Sequence, residues 1–122
     1  MKILACDTDQ DNSYNLRDLF AGMKILPEII EINSVEEAER RIKKGDKFNL
    51  LIAGYDFAKN DAYEVIELVK MCWELGIPSI FLDYPAHRGI SKYVSDTTAA
   101  VCIYKHEVEF ILPNAIKKIL RL

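Results

Sequence analysis

Phe48-Asn49-Leu50-Leu51-Ile52-Ala53, closed by Gly54-Tyr55-Asp56, decides the fold. Its apolar core is nearly continuous where a half-solvated strand would alternate, which is the pattern of a strand covered on both faces, as in a parallel sheet. Comparable short apolar runs lie on either side of it, at Lys2 to Cys6, Glu28 to Ile32, Pro78 to Leu82 and Val101 to Tyr104. Five strands are therefore predicted, with Phe48 to Ala53 as the third.

Helical signals fill the intervals. Leu16, Leu19, Phe20 and Met23 recur at helical spacing, with Asp11, Asn12 or Ser13 available to cap the first turn. Ser34-Val35-Glu36-Glu37 is a capping-box pattern and Gly45 a plausible stop; the mixed charges from Glu36 to Lys44 read as a solvated helix face. A third helix, capped by Asn60, carries Val65, Ile66, Leu68, Val69, Cys72 and Trp73 and ends at Gly76. The stretch His87 to Thr98 is rich in Gly, Ser, Thr and Asp, so a fourth helix there is short and weakly specified. Leu112, Ile116, Ile119 and Leu120 form the stripe of a terminal helix in which Pro113 is either the first residue or a kink. Strands that alternate with helices in this way define a (βα)₅, doubly wound α/β domain, whose ligand sites lie at the carboxyl ends of the strands.

Composition sets the outer bounds. With 122 residues the chain is expected to fold as one domain, residues 1–122. Half of the residues are hydrophobic and 29% are charged, an ordinary globular balance. The 19 acidic and 16 basic residues are interspersed and give a net charge of −3, so no broad basic surface is expected to neutralise nucleic-acid phosphates. Met1-Lys2-Ile3-Leu4-Ala5 is too short for a signal peptide or a membrane span, which makes a cytoplasmic protein with no membrane partner the expectation. Cys6, Cys72 and Cys102 stand apart among apolar neighbours, as core thiols do, and suggest neither disulfides nor a zinc site.

The strand ends bring together Asp7, Thr8 and Asp9; Gly54, Tyr55 and Asp56; Asp83; and Lys105. In order and spacing, along essentially the whole chain, these resemble the receiver domain of two-component response regulators. The resemblance implies a flavodoxin-like, CheY-like sheet with strand order 2-1-3-4-5. It also marks departures. Where a receiver has two adjacent acids that hold Mg²⁺, this chain has Asp7 and Thr8. Where the third strand is followed by the phosphoaccepting aspartate, it has Gly54. Pro78-Ser79-Ile80-Phe81-Leu82 resembles the fourth-strand pattern, but the switch hydroxyl position holds Asp83. Lys105 matches the closing lysine and is followed by His106, where the family usually has proline. The switch aromatic, three residues before that lysine, is Cys102. Asp7 and Lys105 alone match the family's chemical set.

Glycine offers no oxygen nucleophile, so aspartyl phosphorylation at position 54 is excluded. A buried lysine needs a counter-charge, and Asp83 or Asp56 can supply one to Lys105 in a structural ion pair. The resemblance thus implies an atypical receiver, a pseudo-receiver, that is not an enzyme, needs no metal or cofactor, and acts by binding a protein partner. The family's partner surface runs over the fourth helix, fifth strand and fifth helix; here Ile90, Tyr93, Val94, Tyr104 and Phe110 are its candidates, and a homodimer could use the same surface. Core closure is the competing role for each of these apolar groups.

Two rivals keep different chemistry. A divergent receiver could accept phosphate on Asp56, with Asp7 and Asp9 holding metal, although small displacements of a reacting atom are costly in rate. Asp7-Thr8-Asp9 after an apolar strand also looks like the nucleophile motif of haloacid-dehalogenase-type phosphatases, with Asp7 as nucleophile and Asp9 as acid and base. The acidic pair expected after a later strand is missing. A nucleotide or flavin site is disfavoured by the acidic, glycine-free loop from Asp7 to Asn12. His87 and His106 lie beside no nucleophile and read as surface or capping residues.

Overall fold

A computed structural model describes residues 1–6, 16–32, 34–54, 62–83, 94, 98, 100–104 and 108–121, with the backbone alone at Ala62, Tyr63, Asp83, Tyr104, Val108 and Glu109. The elements run β1 (Lys2–Cys6), α1 (Leu16–Gly22), β2 (Glu28–Glu31), α2 (Val35–Lys43), β3 (Leu50–Gly54), α3 (Ala62–Glu74), β4 (Ser79–Asp83), β5 (Val101–Tyr104) and α4 (Val108–Leu120). All strand pairs are parallel and the sheet order is β2-β1-β3-β4-β5. This is the flavodoxin-like, CheY-like architecture that the sequence implied.

The central strand shows why its sequence is continuously apolar. Leu50, Leu51, Ile52 and Ala53 have no exposed surface. Leu51 and Ala53 join Leu4, Cys6 and Phe81 beneath α2 and α3, where Val35, Ala38, Ile42, Val65, Leu68, Val69 and Cys72 meet them. Leu50 and Ile52 point the other way, with Ile3, Ala5, Ile80, Leu82 and Ile103, beneath Phe20 of α1 and Leu112 and Ile116 of α4. Successive side chains alternate across a strand, so one strand feeds two cores and must be apolar at every position. At the edge, β2 is apolar only at its centre: Ile29 and Ile30 turn to opposite cores while Glu28 and Glu31 stay exposed, which discourages further strand pairing.

Helix ends follow local chemistry. The Glu37 N–H donates to Ser34 Oγ at 3.1 Å, as the cap predicted, and the Glu37 carboxylate lies 3.6 Å from both Arg40 and Arg41. The mixed-charge run is thus a solvated face of i,i+3 and i,i+4 pairs. Three helices stop in the same way. Asp46 N–H reaches Arg41 O and Gly45 N–H reaches Ile42 O; Ile77 N–H reaches Cys72 O and Gly76 N–H reaches Trp73 O. Gly45 (φ 95°) and Gly76 (φ 76°) take the left-handed position this motif demands. At the end of α1 the same pair of bonds, Ile25 N–H to Phe20 O and Lys24 N–H to Ala21 O, places Lys24 at φ 60°.

One of the two roles expected of Pro113 is excluded, and one strand boundary moves. Pro113 lies inside α4, five residues past its start, and is not the first residue of the helix. The third strand begins at Leu50 and not at Phe48, because Asn49 is engaged sideways: its Oδ1 accepts from Lys2 N–H and its own N–H donates to Lys2 O, each at 2.8 Å. Cys6 and Cys72 are buried and Cys102 half-buried, with no disulfide among them. Of the weak fourth helix, Val94 is helical and Thr98 N–H donates to Val94 O at 2.9 Å, one helical turn on; the rest of that expectation, like the Asn60 cap, lies outside the described residues.

Candidate functional site

Register brings the candidate positions to one end of the sheet. Cys6 pairs with Ala53, Gly54 with Leu82, and Asp83 with Tyr104. Gly54 is therefore the carboxyl-terminal residue of the central strand, buried and without a side chain, and Asp83 ends the neighbouring strand. Cys102 lies two register steps below the Asp83–Tyr104 pair, opposite Phe81, half-buried on the α3 side of the sheet. Asp7, Thr8, Asp9, Asp56 and Lys105 lie outside the described residues, as do Ile90 and Tyr93 and the side chain of Tyr104. Among the described residues no group of three or more His, Cys, Asp or Glu is placed to hold a metal ion.

The proposed partner surface is divided by the structure. Val94 has no exposed surface and packs with Val65, Phe81 and their neighbours, so it closes the core and does not face a partner. Thr98 fixes it there: its Oγ1 donates to Val94 O at 2.7 Å and accepts from Ala100 N–H at 3.2 Å, tying that turn to the start of β5. Phe110 does the opposite and is 78% exposed on α4.

Sequence reasoning missed one feature at this end of the molecule. The first turns of α2 and α3 flank an open groove of about 410 Å³ lined by Ser34, Val35, Glu36, Glu39, Glu64 and Glu67. Lys70 is 3.7 Å from Glu67. Each glutamate reads singly as a solvated helix acid; the available signal was the shared i,i+3 spacing, 36 with 39 and 64 with 67, on two helices that start side by side.

No family model and no curated protein matches this chain. Two solved structures match it closely in fold. One is a fusion carrying amino acids 181–211 of the yeast Spc42 trimeric coiled coil, at TM-score 0.78 and 14% identity over 98% of this chain and 78% of that one. The other is the N-terminal domain of a response regulator/sensory box/GGDEF three-domain protein from Carboxydothermus hydrogenoformans, at TM-score 0.76 and 14% identity over 99% and 94%. The shared property is the fold, which is receiver-like across the whole sheet. Among the described residues no helix is long and apolar enough to cross a membrane.

Proposed function

We propose that this chain is a pseudo-receiver: a receiver-fold domain of a cytoplasmic signalling pathway that acts by binding a protein partner, without enzymatic activity and without aspartyl phosphorylation. The observation that carries this reading is Gly54. It ends the central strand, the position a receiver gives to its phosphoaccepting carboxylate, and it has no atom that can attack phosphorus. Phosphoryl transfer also needs a metal to offset charge on the transferring oxygens, and the acid pair that would hold it is reduced to Asp7 beside Thr8. Asp83, at the end of β4 where a switch hydroxyl would stand, supports a fixed ion pair with Lys105 in place of a phosphate-sensing switch.

An NMR titration of the ¹⁵N-labelled domain with Mg²⁺ and then beryllofluoride, which mimics an acyl phosphate, tests the loss of phosphoacceptor chemistry. The reading expects no saturable shifts at Cys6, Gly54 and Asp83. Saturable shifts there would restore a metal-dependent acceptor and point to Asp56. Hydrolysis of a generic phosphate ester, lost on Asp7→Asn, would assign the chain to phosphatase chemistry.

A further inference from the structure

Every helix of this fold starts at the carboxyl ends of the strands and closes at the amino-terminal end of the sheet. That topology sorts charge that is interspersed in the sequence. α2 closes with Arg40, Arg41, Lys43 and Lys44, and α4 with Lys117, Lys118 and Arg121. Lys2, Lys24 and Lys47 stand at or just before the starts of β1, β2 and β3. Against these 10 cations the same end carries 3 acids among the described residues, Glu28, Asp46 and Glu74, a net +7; the chain's other 6 basic and 16 acidic residues give −10, for the total of −3. Asp46 is itself occupied, 3.8 Å from Lys2 and 4.0 Å from Arg41. Helix dipoles favour cations in a last turn, but Lys2, Lys24 and Lys47 lie outside the helices. Lys24, Lys43, Lys44 and Lys47 are exposed and make no ion pair among the described residues. Lys24 moreover holds φ 60°, where glycine is favoured, so neither backbone preference nor pairing accounts for a lysine there.

The same end exposes apolar side chains. Leu26 is 94% exposed ahead of β2, Met1 precedes β1, and Trp73 and Leu75, 52% and 60% exposed, lie at the end of α3 ahead of β4. These strands lie together in the order β2-β1-β3-β4, about 5 Å apart. Glu28 N–H to Met1 O at 2.9 Å and Asn49 N–H to Lys2 O at 2.8 Å tie their entries to one another. Apolar tips thus project from separate loops and helix ends among cations. A polyanion such as RNA would neutralise the cations but leave Leu26 in water, and a protein partner would need a shape matched to each tip. A bilayer needs no such shape: it takes Trp and Leu at headgroup depth and attracts Lys and Arg through its anionic lipids. We propose that the amino-terminal end of the sheet docks on an anionic phospholipid surface, with Leu26, Trp73 and Leu75 entering the headgroup region and Lys24, Lys43, Lys44 and Lys47 against the lipid anions. The candidate site, at the carboxyl end, then faces away from the membrane. A surface contact requires no spanning helix, so the sequence expectation of no membrane partner, which rested on the lack of a span, does not bear on it. Docking of this kind goes beyond the pseudo-receiver reading and does not depend on it.

Trp73 is the chain's single tryptophan, so its fluorescence reads the contact directly. The chain is titrated with vesicles of equimolar phosphatidylserine and phosphatidylcholine and, in parallel, with vesicles of phosphatidylcholine alone. The expected result is a saturable blue shift and shielding of Trp73 from acrylamide with the mixed vesicles, no response to phosphatidylcholine alone, and reversal by added salt. Leu26→Ser and the double substitution Lys43→Glu/Lys44→Glu are each expected to weaken vesicle binding about tenfold or more. Phe110→Ser, near the start of α4 and so at the opposite end, is expected to leave it unchanged. These side chains are all exposed, so each variant keeps the melting temperature of the wild type. Absence of the blue shift with mixed vesicles, equal response to both vesicle types, or wild-type binding by either amino-end variant would overturn the proposal. Tighter binding of poly(U) RNA than of mixed vesicles, insensitive to Leu26→Ser, would also overturn it and assign this end to a nucleic-acid backbone.

Discussion

Cys72 lies fully buried where α3 packs on the sheet, and burial pushes its thiol up to about 12 from an ordinary 9.0. The unfolded chain ionises this thiol first, so above about pH 9 the folded state binds more protons and loses stability as pH rises. The loss approaches about 1.4 kcal/mol per pH unit in that window. Urea unfolding of the wild type under reducing conditions is expected to fall more steeply between pH 9 and 11 than that of Cys72→Ala; parallel curves would contradict this. The apolar setting of Cys72 was legible in its neighbours, Leu68 and Val69 one turn back. The departures of the candidate site were legible in the same way, because a glycine at position 54 or a cysteine at position 102 declares its chemistry in one letter. Val94 was not. An isolated valine in a polar stretch gives no periodicity, and only the three-dimensional structure shows it beneath Phe81 and Val65.

At the scale of elements, strands and helices were readable wherever burial wrote a period into the sequence, and their ends were readable wherever a specific residue marked them. Ser34, Gly45 and Gly76 did so. The end of α1 did not, because Lys24 occupies the left-handed position where glycine is favoured. Lys24→Gly relieves that conformation, and chemical denaturation is expected to show a gain of about 0.5–1 kcal/mol; a loss of stability would mean that the lysine side chain makes a compensating contact. The start of α4 was hidden by Phe110. An apolar residue that turns outward breaks the core-facing stripe, so the helix could be traced from Leu112 but not from Val108. Pro113 then falls in the second turn, where it removes the N–H that would donate to Glu109 O.

The whole molecule is a sheet between two cores, and its stability is distributed accordingly. β3 contributes to both cores and pairs on both edges, whereas β2 and β5 each have one free edge. Native-state hydrogen exchange is expected to be slowest at Leu51, Ile52 and Ala53 and faster along β2 and β5; uniform protection across the sheet would contradict a central nucleus of stability. The strand order could be inferred through resemblance, since apolar runs predict strands but not their neighbours. The groove of Glu36, Glu39, Glu64 and Glu67 could not, because its members lie on two helices and meet only after folding. The central claim is that this scaffold keeps the receiver fold without its phosphoryl chemistry, and intact-mass analysis of the purified domain after incubation with acetyl phosphate and Mg²⁺ tests it most directly. An unmodified mass is the predicted result. A phosphoryl adduct labile to hydroxylamine, the signature of an acyl phosphate, would contradict the account.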